Sequence, residues 1–456
     1  MREDAGRYRT TALTGWGRTA PTVARVSVPA TTAELADVVH SAGARGVVAR
    51  GLGRSYGDAA QNAGGTVLDM TALTAVHSID ARRGLVSCEA GVSLDRLMRL
   101  LLPLGWFVPV TPGTRYVTVG GAIAADIHGK NHHVSGSFTR HVRSLDLLTA
   151  DGETHTLTPE TDPELFWATA GGMGLTGVVL SAEIQLLPVQ TALMSVDTER
   201  AVDLDDLMDR LEATDHRYRY SVAWIDLLAR GASTGRAVLS RGDHASPDQL
   251  DGRQRRDPLG FRTSRLPSVP RGLPGGLLSA TTVGAFNELW YRKAPRERRG
   301  ELQRLSTFFH PLDGLPDWNR IYGRRGFLQY QFVVPYGEEP ALRRIVEAIS
   351  RHRCPAFLAV LKRFGDGDPG WLSFPAPGWT LALDIPAALP GLGQLLDGLD
   401  EEVLRAGGRI YLAKDSRLGA ASLAGMYPAV NDFRRLRARI DPQGRFASDL
   451  ARRLSL

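Results

Sequence analysis

The chain lacks the features that announce several common protein classes. Only two of its 456 residues are cysteines, Cys88 and Cys354. They form neither a CxxC nor a metal-spaced pair, which excludes a disulfide framework. Charge of neither sign dominates: 55 Lys and Arg stand against 49 Asp and Glu, a net charge of +6. That balance permits a basic patch facing phosphate or anionic lipid, but not the concentrated basic surface of a nucleic-acid binder. Long apolar runs are missing as well. The most apolar stretch, "LMRLLLPLGWFVPV" (97–110), is broken by Arg99 and two prolines, and it falls short of the ~20 apolar residues of a membrane-spanning helix. The opening "MREDAGRYRTTALTGWGRT" mixes acids with arginines around no apolar centre, unlike a secretory signal. Membrane contact is therefore expected to be peripheral, with a cytoplasmic or membrane-surface location and the periplasmic face left open.

What is present is a globular composition, with 43% hydrophobic and 23% charged residues, in a chain long enough for two or three domains of roughly 100–200 residues each. "TTAELADVVHSAG" predicts a helix opened by a Thr31–Glu34 capping box, with Leu35, Val38, Val39 and Ala42 on one face and a stop at Gly43. The strand "VVAR" follows and runs into "GLGRSYGD" (51–58). A nicotinamide-binding fingerprint needs G-x-G-x-x-G opening a helix. Here the spacing is Gly51-x-Gly53-x-x-x-Gly57, and the next element is the strand "TVLDM". The Rossmann reading fails on both counts, leaving an anion-cradling loop or an ordinary strand connection.

The pattern recurs. "TPGTRYVTVGGAIAADIHGKNHH" (111–133) carries Gly120, Gly121, a run of alanines, Asp126, His128 and Gly129, and "ELFWATAGGMGLTGVVLSAEIQLLP" carries Gly171, Gly172, Gly174 and Gly177. Three glycine-rich loops beside strands suggest one large phosphate-bearing ligand held mainly by backbone.

In this order and spacing the three loops resemble those of the vanillyl-alcohol-oxidase-like flavoproteins. "GLGRSYGDAAQN", "ADIHGKNHH", "FLQYQFVVP", "LKRFG" and "YLAKDSR" are more closely similar to the polyprenylphosphoryl-ribose 2-oxidases, flavin subunits of the 2′-epimerase that makes the arabinose donor of actinobacterial cell walls. The resemblance covers nearly the whole chain. It implies an α+β, two-domain PCMH-type FAD-binding fold: residues 1–192 bind FAD, 193–408 form a substrate domain with an antiparallel sheet, and 409–456 complete the FAD domain. The strands "SVAWIDLLA", "GFLQYQFVVP", "CPAFLAVLKRF" and "GWTLALDIP" and the helix "EEPALRRIVEAISRHR" fit such a substrate domain independently. An insertion at about 244–300, rich in Pro, Gly and Arg, is expected to be irregular, either a solvated loop or a lid touching anionic lipid.

The resemblance further implies oxidation of the ribose C2′ hydroxyl of a polyprenylphosphoryl-β-D-ribose, with a separate NADH-dependent short-chain ketoreductase completing the epimerisation. The alternatives are an aldonolactone or alditol oxidase using oxygen, and a non-catalytic binding protein on the same fold. Lys414, His128 and Asp384 are the catalytic candidates. Lys414 and Lys362 both stand in apolar strand-like segments, where burial would lower the lysine pKa into a useful range; pairing with a carboxylate at a strand edge is the plainer account. The cofactor candidates are Gly51, Gly53, Arg54, Ser55, Tyr56, Gly57, Asn62, Thr118, Gly121, Ala122, Asp126, His128, Gly129, Gly174, Gly177 and Tyr411. Substrate candidates are Lys362, Gln329, Gln331, Phe364 and Thr380, with Gln329 and Gln331 on one strand face. His128, His132 and His133 lack a metal-ligand spacing, and no metal is expected. Three departures from the family pattern stand out. Arg54 replaces the histidine that carries flavin covalently in related sugar oxidases, so non-covalent FAD is expected. Ala382 and Thr380 stand where mycobacterial members have cysteine and asparagine.

Overall fold

The computed structural model describes residues 8–263, 266–274 and 276–456. Residues 1–7 of the expected first domain, and 264, 265 and 275 of the expected insertion, lie outside the described residues. Thr31 caps the helix Thr32–His40 by accepting from the Glu34 N–H, and Leu35, Val38 and Val39 form its buried face. The helix ends at His40 rather than Gly43, because Ser41 donates its N–H and its hydroxyl to the Asp37 carbonyl and closes the last turn. This helix links two strands, Thr22–Ser27 and Val47–Arg50, that both pair parallel to Thr66–Asp69. With Arg9–Leu13 they make a four-stranded sheet. A five-stranded antiparallel sheet follows, ordered Val76–Asp80, Leu85–Glu89, Val178–Gln185, Val142–Leu148 and Thr154–Leu157.

From Leu193 onward the chain builds one eight-stranded sheet. Its order is Glu297–Arg304, Leu193–Ala201, Ala237–His244, Tyr220–Ile225, Ala359–Phe364, Gly378–Pro386, Phe327–Pro335 and Arg409–Ile410, each pair antiparallel. The strand Gly378–Pro386 is buried at all but its last residue, which fits its mainly apolar sequence, interrupted by the buried Thr380 and Asp384. The helix Glu339–Arg351 buries Leu342, Ile345, Val346 and Ile349, the i, i+3, i+4, i+7 stripe of a core-facing helix. It packs on Phe327–Pro335 beside Leu392–Arg405, which buries Leu392, Leu396, Leu399 and Val403.

The C-terminal segment returns to the first sheet. Phe446 bridges to Val47, and the Asp449 N–H donates to the Gln61 carbonyl at 2.8 Å. The Arg453 guanidinium holds both Asp58, at 2.7 Å, and Asp415, at 2.8 Å.

Two expectations are corrected. The 244–300 segment is not irregular throughout: Ser279 caps a helix over Ala280–Lys293, and the strand Glu297–Arg304 starts inside it. Only Val283 and Asn287 of that helix are buried, so it lacks the apolar stripe that would reveal it between Pro- and Gly-rich flanks. Lys414 lies on no strand. The strand stops at Ile410, and the chain turns so that the Lys414 N–H bonds the Tyr411 carbonyl and the Ala413 carbonyl accepts from the Tyr56 N–H at 2.9 Å.

Candidate active site

One cavity of about 940 Å³ runs between the glycine-rich loops and the large sheet. Its first end is made of the glycine-rich loops. Arg50 donates to the Ala60 carbonyl at 2.9 Å and the Thr14 carbonyl at 2.8 Å, fixing the loop that begins at Gly51. A Cβ at Gly51 would sit 2.2 Å from Thr118 Oγ1, and one at Gly57 would sit 1.9 Å from the Asp415 carbonyl oxygen. Neither residue tolerates a side chain, because the first loop is pressed between the second loop and the C-terminal segment. Thr118 in turn caps the helix Val119–Ala124 by accepting from the Gly121 N–H at 3.2 Å.

The middle of the cavity is made of side chains from three neighbouring strands. Register places Gln329 opposite Asp384, Gln331 opposite Ala382, and Lys362 opposite Thr380. Alternate residues share a face, so Gln329, Gln331, Lys362 and Ala382 all reach the cavity wall. Gln331 Nε2 lies 3.0 Å from His128 Nε2, and Lys362 Nζ lies 3.3 Å from His128 Nδ1. Burial, reinforced by Lys362, holds the His128 pKa well below its ordinary value, so the ring is neutral at pH 7. Lys414 Nζ stands 3.9 Å from the centre of the Tyr56 ring. Burial pulls its pKa down to about 7 against the opposing pull of Asp384. Burial likewise lowers Lys362 to about 8 and raises the Asp384 carboxyl to about 7. Gln329 donates to Asp384 Oδ1. Groups poised near neutrality around a cavity are the equipment of proton transfer.

The structure sorts the remaining candidates into two layers. Gly51, Gly53, Arg54, Ser55, Tyr56, Thr118, Gly121, His128, Gly129, Gly174, Gly177 and Tyr411 line the cavity. Gly57, Asn62, Ala122 and Asp126 do not line it and stand behind it. Asn62 spans the Gly46 and Thr66 carbonyls, Ala122 is core, and Asp126 accepts from the Thr139 N–H and the Ser373 hydroxyl. Phe364, Thr380 and Asp384 also stand behind the wall. Phe364 packs on the His128 ring at 4.8 Å, Thr380 accepts from Gln331 at 3.3 Å, and Asp384 holds Gln329.

Sequence reasoning missed Lys130, which lines the cavity, donates to the Phe308 carbonyl and is lowered by burial to about 7. Its position directly after Gly129 in the second loop was the available signal. It also missed the far end of the cavity, where Trp224, Phe286, Trp290 and Phe357 form an apolar wall. No local pattern ties these four positions together.

Comparison with known proteins matches residues 23–158 to a family described as an FAD binding domain, and residues 328–454 to one described as D-arabinono-1,4-lactone oxidase. The cavity suits FAD: it is of the size that holds a large ligand, a Cβ at Gly51 of its loop end would clash with Thr118, and the buried Arg54 Nε there has no hydrogen-bond partner among the described residues. The chain is 27% identical to an L-gulono-1,4-lactone dehydrogenase of Mycobacterium tuberculosis, over 93% of this chain and 94% of the relative. It is 26% identical to an alditol oxidase of a Streptomyces species, over 97% of this chain and 99% of the relative. With the decaprenylphosphoryl-beta-D-ribose oxidase of Mycolicibacterium smegmatis the identity is 49%, over 97% of both chains. The chain therefore belongs to the decaprenylphosphoryl-beta-D-ribose oxidase family, FAD-dependent oxidoreductases of the two-domain, vanillyl-alcohol-oxidase-like α+β fold.

Proposed function

We propose that the protein oxidises the C2′ hydroxyl of a polyprenylphosphoryl-β-D-ribose to the 2′-keto sugar. This is the first half of a 2′-epimerisation that yields the arabinose donor for cell-wall arabinan, and a separate NADH-dependent short-chain ketoreductase completes it. The observation that carries this reading is the 49% identity, over 97% of both chains, with an oxidase named for that lipid-linked sugar. The cavity supports it, because its lining passes from glycine backbone, through Lys, His and Gln, to an aromatic end suited to a prenyl chain.

When bound, FAD supplies the acceptor for the hydride that leaves C2′. Lys414 takes the hydroxyl proton, since an amine with a pKa near 7 is available in its neutral form at physiological pH. Neutral His128, held by Gln331 and Lys362, orients the sugar together with Gln329. Asp384 steadies Gln329 and biases the Lys414 charge. The loop end of the cavity holds FAD without a covalent link, because arginine stands at position 54. Among the described residues no helix is long and apolar enough to cross a membrane, and the lipid substrate would be met at the membrane surface, on its cytoplasmic or periplasmic face.

The test is an anaerobic absorbance spectrum before and after adding a short-chain polyprenylphosphoryl ribose. Bleaching of the oxidised flavin bands, absent in Lys414→Ala, is the expected result. Persistence with the lipid sugar and bleaching with a free alditol or aldonolactone would overturn the reading in favour of a soluble-sugar oxidase. Acid precipitation should release all the flavin into the supernatant.

A further inference from the structure

A second recess, of about 300 Å³, is walled by Arg18, Arg271, Arg320 and Arg324. Trp16 and Trp318, two residues before Arg18 and Arg320, line the main cavity, so the recess lies against that wall. Arg320 pairs with Asp317 at 2.9 Å and donates to the Val269 carbonyl at 3.0 Å. Arg18 reaches the Gly323 carbonyl at 3.4 Å. Among the described residues no carboxylate pairs with Arg18, Arg271 or Arg324.

The recess is built rather than incidental. Arg18 and Asp317 both adopt left-handed backbone conformations, with φ of 60° and 55°, which residues carrying a Cβ normally avoid. They are held there by the Phe327 N–H, which donates to the Gly17 carbonyl at 2.8 Å, and by the Ser268 hydroxyl, which donates to Asp317 at 2.7 Å. Four arginines lining one recess, with a single carboxylate, Asp317, paired to one of them, give it the charge that suits a phosphate oxyanion.

The surface around the recess favours one source of that phosphate. Leu266 and Leu277, on either side of Arg271 in sequence, are 59% and 45% exposed. The helix Ala280–Lys293 exposes Phe286, Leu289 and Trp290 and ends in Arg292 and Lys293. Phe286 connects this helix to the recess: its ring lies 6.1 Å from Phe357, which lies 6.0 Å from Tyr322, the neighbour of Gly323. Exposed aromatics and leucines interspersed with arginines are the composition of an interfacial, membrane-lying surface, and single-sign charge without them would suit a polynucleotide better.

We propose that this arginine recess binds the phosphate of an anionic phospholipid and docks the aromatic end of the cavity on the membrane, with Phe286, Leu289 and Trp290 entering the interface. The purpose of such docking rests on the lipid-linked substrate proposed above; the binding itself does not. The test is co-sedimentation of the FAD-loaded protein with vesicles of phosphatidylglycerol and of phosphatidylcholine. The protein should pellet with the former only. The double variant Arg271→Gln/Arg324→Gln should bind roughly 30-fold more weakly, the effect of two surface arginines, while keeping its flavin spectrum, melting temperature and reduction by a short-chain substrate. Equal binding to both vesicles, or an unchanged double variant, would overturn the proposal. Calorimetry with inorganic phosphate separates the two sources: phosphate binding that the double variant loses, without vesicle binding, would mean a free-phosphate site and overturn the membrane assignment. Because no sugar is involved, failure here leaves the flavin-bleaching result untouched, and the reverse holds as well.

Discussion

The two halves of the cavity recognise by different means. At the loop end, Gly51 leaves no room for a Cβ against Thr118, and behind the wall Gly57 leaves none against the Asp415 carbonyl, so the loop is packed too closely to accept side chains there. At the sheet end the polar groups are side chains: Gln329, Gln331 and Lys362 are delivered by strand alternation, and His128, Lys130 and Lys414 reach in from the second loop and the turn after Ile410. A backbone cradle depends on the absence of atoms, so almost any substitution destroys it. A side-chain constellation can be edited one group at a time.

The largest effect is therefore expected at the loop end. Gly57→Val would drive a branched side chain into the Asp415 carbonyl, 1.9 Å from the first added carbon. The loop cannot retreat, because the Trp16 and Gly17 N–H groups bond the Ser55 and Tyr56 carbonyls on its other side. Destabilisation of about 1–3 kcal/mol with loss of bound flavin is expected, read as a lower melting temperature and a low flavin-to-protein absorbance ratio. Full flavin retention would show that the loop is not a rigid cradle.

Lys414→Ala should keep flavin yet slow anaerobic reduction by roughly 10²–10⁴-fold, the usual worth of a positioned proton acceptor. In the parent enzyme the reduction rate should rise with pH through about 7, as Lys414 loses its proton. A rate that falls over that range would recast the lysine as a cation stabilising the developing alkoxide.

The acid partner gives a stability test of the same pair. The Asp384 carboxyl is raised from its ordinary 3.8 to about 7, so between those values the folded protein holds a proton that the unfolded chain releases. Stability from this group is complete below about 3.8 and is lost as pH rises through about 7. Asp384→Asn should flatten that part of the melting-temperature profile, and an unaltered profile would place the ionised carboxylate in the fold at all these pH values.

How legible each half was follows from the same contrast. The loops were readable because glycine spacing reports backbone directly, and the failed helix after Gly57 separated them from a Rossmann site. Gln329, Gln331 and Lys362 were readable through period-two alternation. Lys414 was found by its motif but given the wrong backbone: only Arg409–Ile410 pairs, and the turn that follows is set by Tyr56, more than 350 residues earlier in the chain. The aromatic end of the cavity was not readable, because Trp224, Phe286 and Phe357 meet only through tertiary packing. Asp126 and Asn62 carried the right chemistry for a ligand, but their hydrogen bonds are spent inside the protein.

The smallest effect is expected where a side chain can be added to the sheet end without moving anything. Ala382 sits on the central strand, opposite Gln331 on one side and Val360 on the other, and its methyl faces the cavity. Ala382→Cys adds one sulfur into open volume, displaces no hydrogen bond, and leaves the two neighbouring ladders intact. Stability should change by less than ~0.5 kcal/mol, and reduction by substrate should stay near that of the parent. The new thiol would be the one cysteine facing the cavity, since Cys88 and Cys354 are buried, with burial pushing both thiols up to about 12. A maleimide should therefore modify the variant once, at this position, and abolish reduction, while leaving the parent enzyme unmodified and active. Modification that spares activity would mean that the substrate does not pass Ala382, and the polar wall built by Gln331 and Lys362 would then lie off the reaction path.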